Sequence, residues 1–202
     1  MNPITELHQK VDAVNAALAK ASADKGKPIT CKGKGCSACC YEPVYCSSDE
    51  ARYLVEGLTE EQKAEVARKT EVNLLVVGAS GLFKKDMPPV MEWLAMKLPC
   101  PLLEHGACIA YERRPTGCRT HMAIGPPEWC GNEHRLEQRY PKAKEVSMAI
   151  GQAILDSHMK LGNIIHNDNM LALLANELLG EYTETASAEQ IVFIEEKSND
   201  HT

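Results

Sequence analysis

The stretch Cys31-Lys-Gly-Lys-Gly-Cys36-Ser-Ala-Cys39-Cys40 puts four of the chain's nine cysteines into ten positions, two of them adjacent. Gly33, Gly35 and the close spacing of thiols fit neither a helical nor a strand period, so the segment reads as loop. Three chemistries compete for such a cluster: a disulfide framework, a reactive thiol, or a set of metal ligands. The remaining cysteines help to decide. Cys46 completes a first block, and Cys100, Cys108, Cys118 and Cys130 form a second. None falls in a stretch with helical periodicity, where a thiol used as a small core hydrophobe is expected.

The sequence around these blocks reads as helix. Leu7, Val11, Val14 and Leu18 recur at three- and four-residue steps, an amphipathic first helix with Thr5 as a candidate cap and Gly26 and Pro28 as breakers. Ser47 with Glu50, and Thr59 with Gln62, are capping-box spacings that open two further helices, the first stopping near Gly57. A short helix is expected in "PPVMEWLAMKL", with Pro88 or Pro89 near its start. Residues 100–130 are rich in Gly and Pro, with room for a hairpin around Gly106. Val146, Ile150, Ile154 and Leu161 mark a later core-facing helix, followed by "NMLALLANELL" and a candidate in "SAEQIVFIEEK". The expected fold class is mainly α, a helical domain wrapped round irregular Cys-rich loops, with that hairpin as an optional addition. Residues 1–202 are read as one domain: an N-terminal helix at 1–25, a Cys-rich metal-binding region at 31–130 and C-terminal helices at 140–196.

A net charge of −6 argues against general binding to nucleic acid or anionic membrane, which calls for a basic surface. The first residues show no secretory leader, and no apolar run approaches the length that spans a bilayer. The cytoplasm is the expected compartment. It is reducing, which disfavours disulfides and favours metal or redox roles for clustered cysteines.

Cys36-Ser-Ala-Cys39 has the two-residue spacing of a thiolate knuckle, and two dense thiol blocks around it point to metal. Neighbouring side chains usually diverge, so Cys39 and Cys40 suit a site with more than one metal atom, or a division into one ligand and one packing or reactive thiol. Nine thiols could supply two four-ligand sites with one left over. Four thiolates on one divalent ion leave a charge near minus two, to be offset by nearby cations. Lys32, Lys34, Arg113, Arg114 and Arg119 are available, and Arg119, directly beside Cys118, is the preferred candidate.

These residues carry a resemblance. Cys36-Ser-Ala-Cys39-Cys40, Cys100-Pro-Leu-Leu, Gly106-Ala-Cys108-Ile-Ala-Tyr111 and Arg114-Pro-Thr-Gly-Cys118-Arg119 resemble, in order and spacing, the zinc- or iron-chelating family named for its CxxCxxCC pattern, the YkgJ-type cysteine-cluster proteins. The resemblance covers residues 31–120. It implies iron, an iron–sulfur cluster included, or zinc, held by Cys31, Cys36, Cys39, Cys40, Cys100, Cys108 and Cys118. It also implies a relationship to bacterial flagellin lysine methylases that share the pattern. Four residues separate Cys31 from Cys36 where the family has two, Leu102 stands for the usual Phe, and Cys-Ile-Ala-Tyr replaces Cys-x-Ile-Tyr. Cys46 and Cys130 have no place in the motif and, with His121, are secondary ligand candidates.

His105 reads as a loop residue, and His158 and His166 as solvated or capping residues. Tyr41, Tyr45, Trp93 and Trp129 read as packing. No P-loop, dinucleotide fingerprint or serine-hydrolase elbow is present. No acid–base pair can be named, so whether the chain is an enzyme stays open. Two functions survive: a thiolate metalloprotein with a redox or catalytic role, and a zinc-stapled structural or protein-interaction module. The partners implied are the metal or cluster and, for the second, another protein.

Overall fold

The computed structural model describes residues 2–31, 34–81, 90–123, 144–161 and 167–180. Pro88, Pro89, Trp129, Cys130, His166 and the proposed helix in "SAEQIVFIEEK" lie outside them. The described residues are mainly helical.

Helix α1 spans Pro3–Asp24. Its cap is Asn2, whose side chain accepts from the Ile4 backbone N–H, with Pro3 pre-set for the first helical turn. Thr5, the candidate cap, instead lies inside the helix, its hydroxyl 3.0 Å from the Tyr53 hydroxyl. Helices α2 (Ser48–Val55) and α3 (Glu60–Ser80) each begin with the capping box their spacing predicts. Gly81 ends α3 in the left-handed conformation that a side chain would disfavour. Helix α4 (Val90–Ala95) follows, then the hairpin β2 (Leu103–Glu104) and β3 (Ala107–Cys108). His105 and Gly106 make its turn, both with positive φ, the twist that two-residue hairpins favour. Helices α5 (Thr116–Arg119), α6 (Lys144–Leu161) and α7 (Met170–Leu179) follow among the described residues.

A second strand pair has no counterpart in the sequence reading. Strand β1 (Tyr45–Ser47) runs antiparallel to β4 (Asn167–Asn169), with Cys46 opposite Asp168. Three-residue strands, one of them Asn-Asp-Asn, carry no alternating pattern, and their pairing is set by the helices that follow each. The Met170 N–H at the start of α7 also donates to the Val44 carbonyl at 2.7 Å.

The main core joins α2, α3 and α7 through Leu54, Val66, Leu173 and Leu174, and Leu102 enters it from beside the hairpin. A second cluster sets Leu74, Val77 and Trp93 against Leu171 and Ala175. A third packs Leu7 and Val11 of α1 on Ile150 of α6, with Val14 and Ile154 at its edge. The amphipathic face of α1 is thus covered by its own chain. No helix of the described residues is long and apolar enough to cross a membrane.

Two buried histidine–carboxylate pairs clamp α1 and α6 onto the first turn of α2. His8 Nε2 lies 3.3 Å from Glu50 Oε1, and His158 Nδ1 lies 2.9 Å from Asp49 Oδ2. His158 is 1% exposed, so the solvated role read from the sequence is overturned. The helix spacing that places it was visible, but its partner is 109 residues away.

Glu50 does more than pair. Its Oε2 accepts from the Ser47 N–H at 3.2 Å, and its Oε1 accepts from the Thr116 N–H at 2.7 Å, capping α5. Burial opposes its ionisation, but His8 and the Thr116 and Ser47 N–H groups outweigh that and hold its pKa below the ordinary 4.5. A depressed folded pKa contributes stability that is present above 4.5 and lost as pH falls through the folded value. Replacing Glu50 by Ala should therefore lower the unfolding free energy by about 3–5 kcal/mol, read from denaturant melts at neutral pH. In Glu50→Gln the acid limb of stability against pH should be shallower than in the parent. Equal acid limbs would show that Glu50 is not the linked group.

Candidate metal centre

The two cysteine blocks meet through the backbone. A 3₁₀ turn at Ala38–Tyr41 carries Cys39 and Cys40, and the Cys40 carbonyl accepts from the Cys100 N–H at 2.7 Å. Asn73 of α3 fixes the preceding residue by donating to the Pro99 carbonyl at 2.7 Å. The Leu103 N–H returns to the Cys100 carbonyl, turning the chain into the hairpin whose second strand ends at Cys108. Further on, Thr30 N–H bonds the Ala123 carbonyl at 3.0 Å, joining the approach to the first block to the segment just past Cys118.

Cys118 sits on α5, and the doublet on a 3₁₀ turn, so the segments read as loop hold short helical turns. These one-turn elements are too short to show a period. Gly117 is what lets α5 reach β1: a Cβ there would stand 2.6 Å from the Tyr45 carbonyl oxygen. A side chain would push Cys118 away from the first block.

Within the doublet, the neighbouring Cys40 side chain, followed by burial, pushes the Cys39 pKa far above the ordinary thiol value. Burial pushes the Cys100 thiol up to about 12, with the charges of Cys108 and Cys39 adding to it. Burial likewise raises Cys108, with Cys39 contributing, and raises Cys118 strongly, with Cys100, Cys39 and Cys108 contributing. Thus Cys39, Cys100, Cys108 and Cys118, from four separate stretches of chain, lie within range of one another's charge. As thiols they are neutral and poorly nucleophilic, because a thiolate here lacks solvation. Only a nearby cation makes several thiolates affordable together.

Lys69 supplies one such charge toward Cys100, and another is Arg114. It lowers the pKa of both Cys108 and Cys118, its guanidinium stacks 4.0 Å from the Tyr111 ring centroid, and its buried Nε has no hydrogen-bond partner among the described residues. Arg119, the sequence's preferred candidate, has another task. It is 7% exposed and pairs with Asp12 of α1 at 2.6 Å while donating to the Arg114 and Glu112 carbonyls. It holds the loop that carries Arg114, and adjacency to Cys118 in sequence could not reveal that difference.

The other candidates lie further out. Cys31 is exposed and Cys36 half-buried. Cys46 is buried in the main core among Ala51, Leu54 and Leu174, where burial raises its pKa strongly and Cys118 and Cys100 act on it more weakly than Glu50 does. Cys130 falls outside the described residues. His121 Nε2 lies 3.9 Å from Glu42 Oε1. The Glu42 side chain is 6% exposed and adds to the rise in the Cys39 pKa. Sequence reasoning missed it, its only signal being its place two residues after the doublet. Among the described residues, no three His, Cys, Asp or Glu side chains form a group that would hold a metal ion as they stand. The donor chemistry nonetheless suits zinc or iron: soft sulfur ligands, little solvent and a compensating arginine.

No curated protein and no solved structure matches the chain. The family model CxxCxxCC, described as "Putative zinc- or iron-chelating domain", matches residues 30–145, more than half of the chain and a span holding all nine cysteines. The chain therefore belongs to the CxxCxxCC family of zinc- or iron-chelating domains, and its cofactor is zinc or iron.

Proposed function

We propose that Cys39, Cys40, Cys100, Cys108 and Cys118 hold the metal as thiolates, and that the centre is iron, as an iron–sulfur cluster with a redox or catalytic role. Cys36 and Cys31, on the preceding loop, are further donors, and Cys46, Cys130 and His121 are secondary. The observation that carries this reading is the burial of four thiols from separate stretches of chain within range of one another's charge, a cost that a bound cation relieves. The vicinal pair favours a cluster, because adjacent sulfurs are more readily shared between metal atoms than closed on one tetrahedral ion. Arg114 offsets the thiolate charge and would raise the potential of an iron centre. The described cysteines are all free thiols, which fits a reducing cytoplasm.

A second reading has its own support. The Cys40–Cys100 backbone bond and the Gly117 contact knit the two cysteine-bearing segments together, as a zinc staple does. On that reading the chain is a structural or interaction module without catalysis.

Replacing Cys39 or Cys118 by Ser should reduce metal content and thermal stability together, since a structural thiolate site contributes on the order of 10 kcal/mol. Cys46→Ser should keep its metal while losing some stability to the hydroxyl it buries. Full metal content in Cys39→Ser and Cys118→Ser would remove both residues from the ligand set.

Anaerobic purification followed by a visible spectrum, a sulfide assay and metal analysis on one sample separates the two readings. Iron with acid-labile sulfide and a reductant-bleached brown colour is the expected result. Stoichiometric zinc without sulfide or colour would leave the staple, since zinc has no redox chemistry.

A further inference from the structure

A groove of ≈ 280 Å³ opens beside Cys108, with Ile109, Ala110 and Tyr111 among its walls. Its charged lining is Lys34, Arg113 and Glu112, two cations against one carboxylate, in a chain whose net charge is −6. Arg113 is held in place from two sides. Its Nη1 donates to the Tyr53 carbonyl at 2.7 Å, and its guanidinium carbon lies 4.4 Å from the Tyr53 ring centroid. The side chain also passes over Gly57 so closely that a Cβ there would fall 2.4 Å from Arg113 Cδ and 2.5 Å from Nε. An arginine seated in this way has already lost its rotamer freedom, and one carbonyl leaves most of its five N–H donors for other acceptors.

Lys34 is the movable partner. Its ammonium lies 5.9 Å from the Tyr111 centroid and 3.6 Å from Glu112 Oε1, with side chains 69% and 81% exposed. An exposed pair of that length contributes little and opens readily for a competing anion.

We propose that this groove binds a small oxyanion, a carboxylate- or phosphate-bearing molecule, between Lys34 and Arg113 and against Cys108. The anion site stands on the groove's own geometry; its role as the approach to the metal centre rests on the thiolate reading above. Arg113 supplies a fixed charge and directional donors, Lys34 closes from the rim, and Glu112 acts against the ligand by holding Lys34.

The test titrates the full-length protein as purified with inorganic phosphate and, separately, with succinate, following heat or amide chemical shifts. Saturable 1:1 binding of either is expected, the tighter of the two naming the class of headgroup. Lys34→Ala should weaken it about three- to tenfold, the scale of one charge-assisted hydrogen bond, and Glu112→Gln should tighten it. Both positions are exposed, so neither variant endangers folding. Lys63→Ala, which removes a half-buried cation of α3 paired with Glu60, should leave binding unchanged. No saturation with either probe, or equal affinities across parent, Lys34→Ala and Glu112→Gln, overturns the site; an equal loss in Lys63→Ala reduces it to a general charge effect and overturns it as well. Metal content measured on the same samples keeps the two readings apart. Anion binding without metal sinks the role as an approach, and metal without anion binding sinks only the groove.

Discussion

The Glu50 carboxylate is the joint on which the rest of the structure turns. It caps α2 through Ser47, receives the N-terminus of α5 through Thr116, and faces His8 on α1. Three separate lengths of chain are thereby fixed relative to one carboxylate. Such an arrangement is stable only while every lone pair is answered, since a buried charge without partners costs several kcal/mol. Through Thr116 the carboxylate also sets where Cys118 stands, two residues on. The scaffold and the site are therefore not independent: α2 is anchored at the core by Leu54, and its first turn holds the helix that carries a thiol.

Electrostatics gives the cysteine region its character. In a solvated loop, each thiol would ionise a little above neutral pH and react freely. Here the Cys40 side chain beside Cys39, and burial with mutual repulsion at Cys100, Cys108 and Cys118, favour the neutral thiols. A divalent or trivalent cation reverses that balance for all of them together, which gives thiol clusters both affinity and selectivity for soft metals. Arg114 supplies part of the compensating charge in advance. It is held by stacking on Tyr111, while Arg119 braces the same loop against Asp12 of α1. Two arginines five residues apart thus divide the work, one facing the sulfurs and the other the scaffold.

The helices and their starts could be read from the chain because they rest on local chemistry. Ser47 with Glu50 and Thr59 with Gln62 form both capping boxes in place, and the Leu7–Val11 stripe lies buried. The hairpin around Gly106 follows from a turn that needs positive φ. Local pattern misled where a competing local choice existed: Asn2 followed by Pro3 caps α1 better than Thr5 does. The β1–β4 pairing and the His158–Asp49 contact were illegible, because each joins residues more than 100 positions apart.

For the site, the sequence by itself determined the type of chemistry. Sulfur donors at knuckle spacing and in family order select zinc or iron whatever the fold, since ligand softness is a property of the residue. Tertiary structure decided which thiols come within range of one another's charge, that Arg114 acts on Cys108 and Cys118 while Arg119 braces the loop against α1, and that Glu42 joins their surroundings. Those outcomes depend on close approaches such as Gly117 to the Tyr45 carbonyl and on the Cys40–Cys100 backbone bond. Distances of that kind are fixed when helices pack, and spacing along the chain does not contain them.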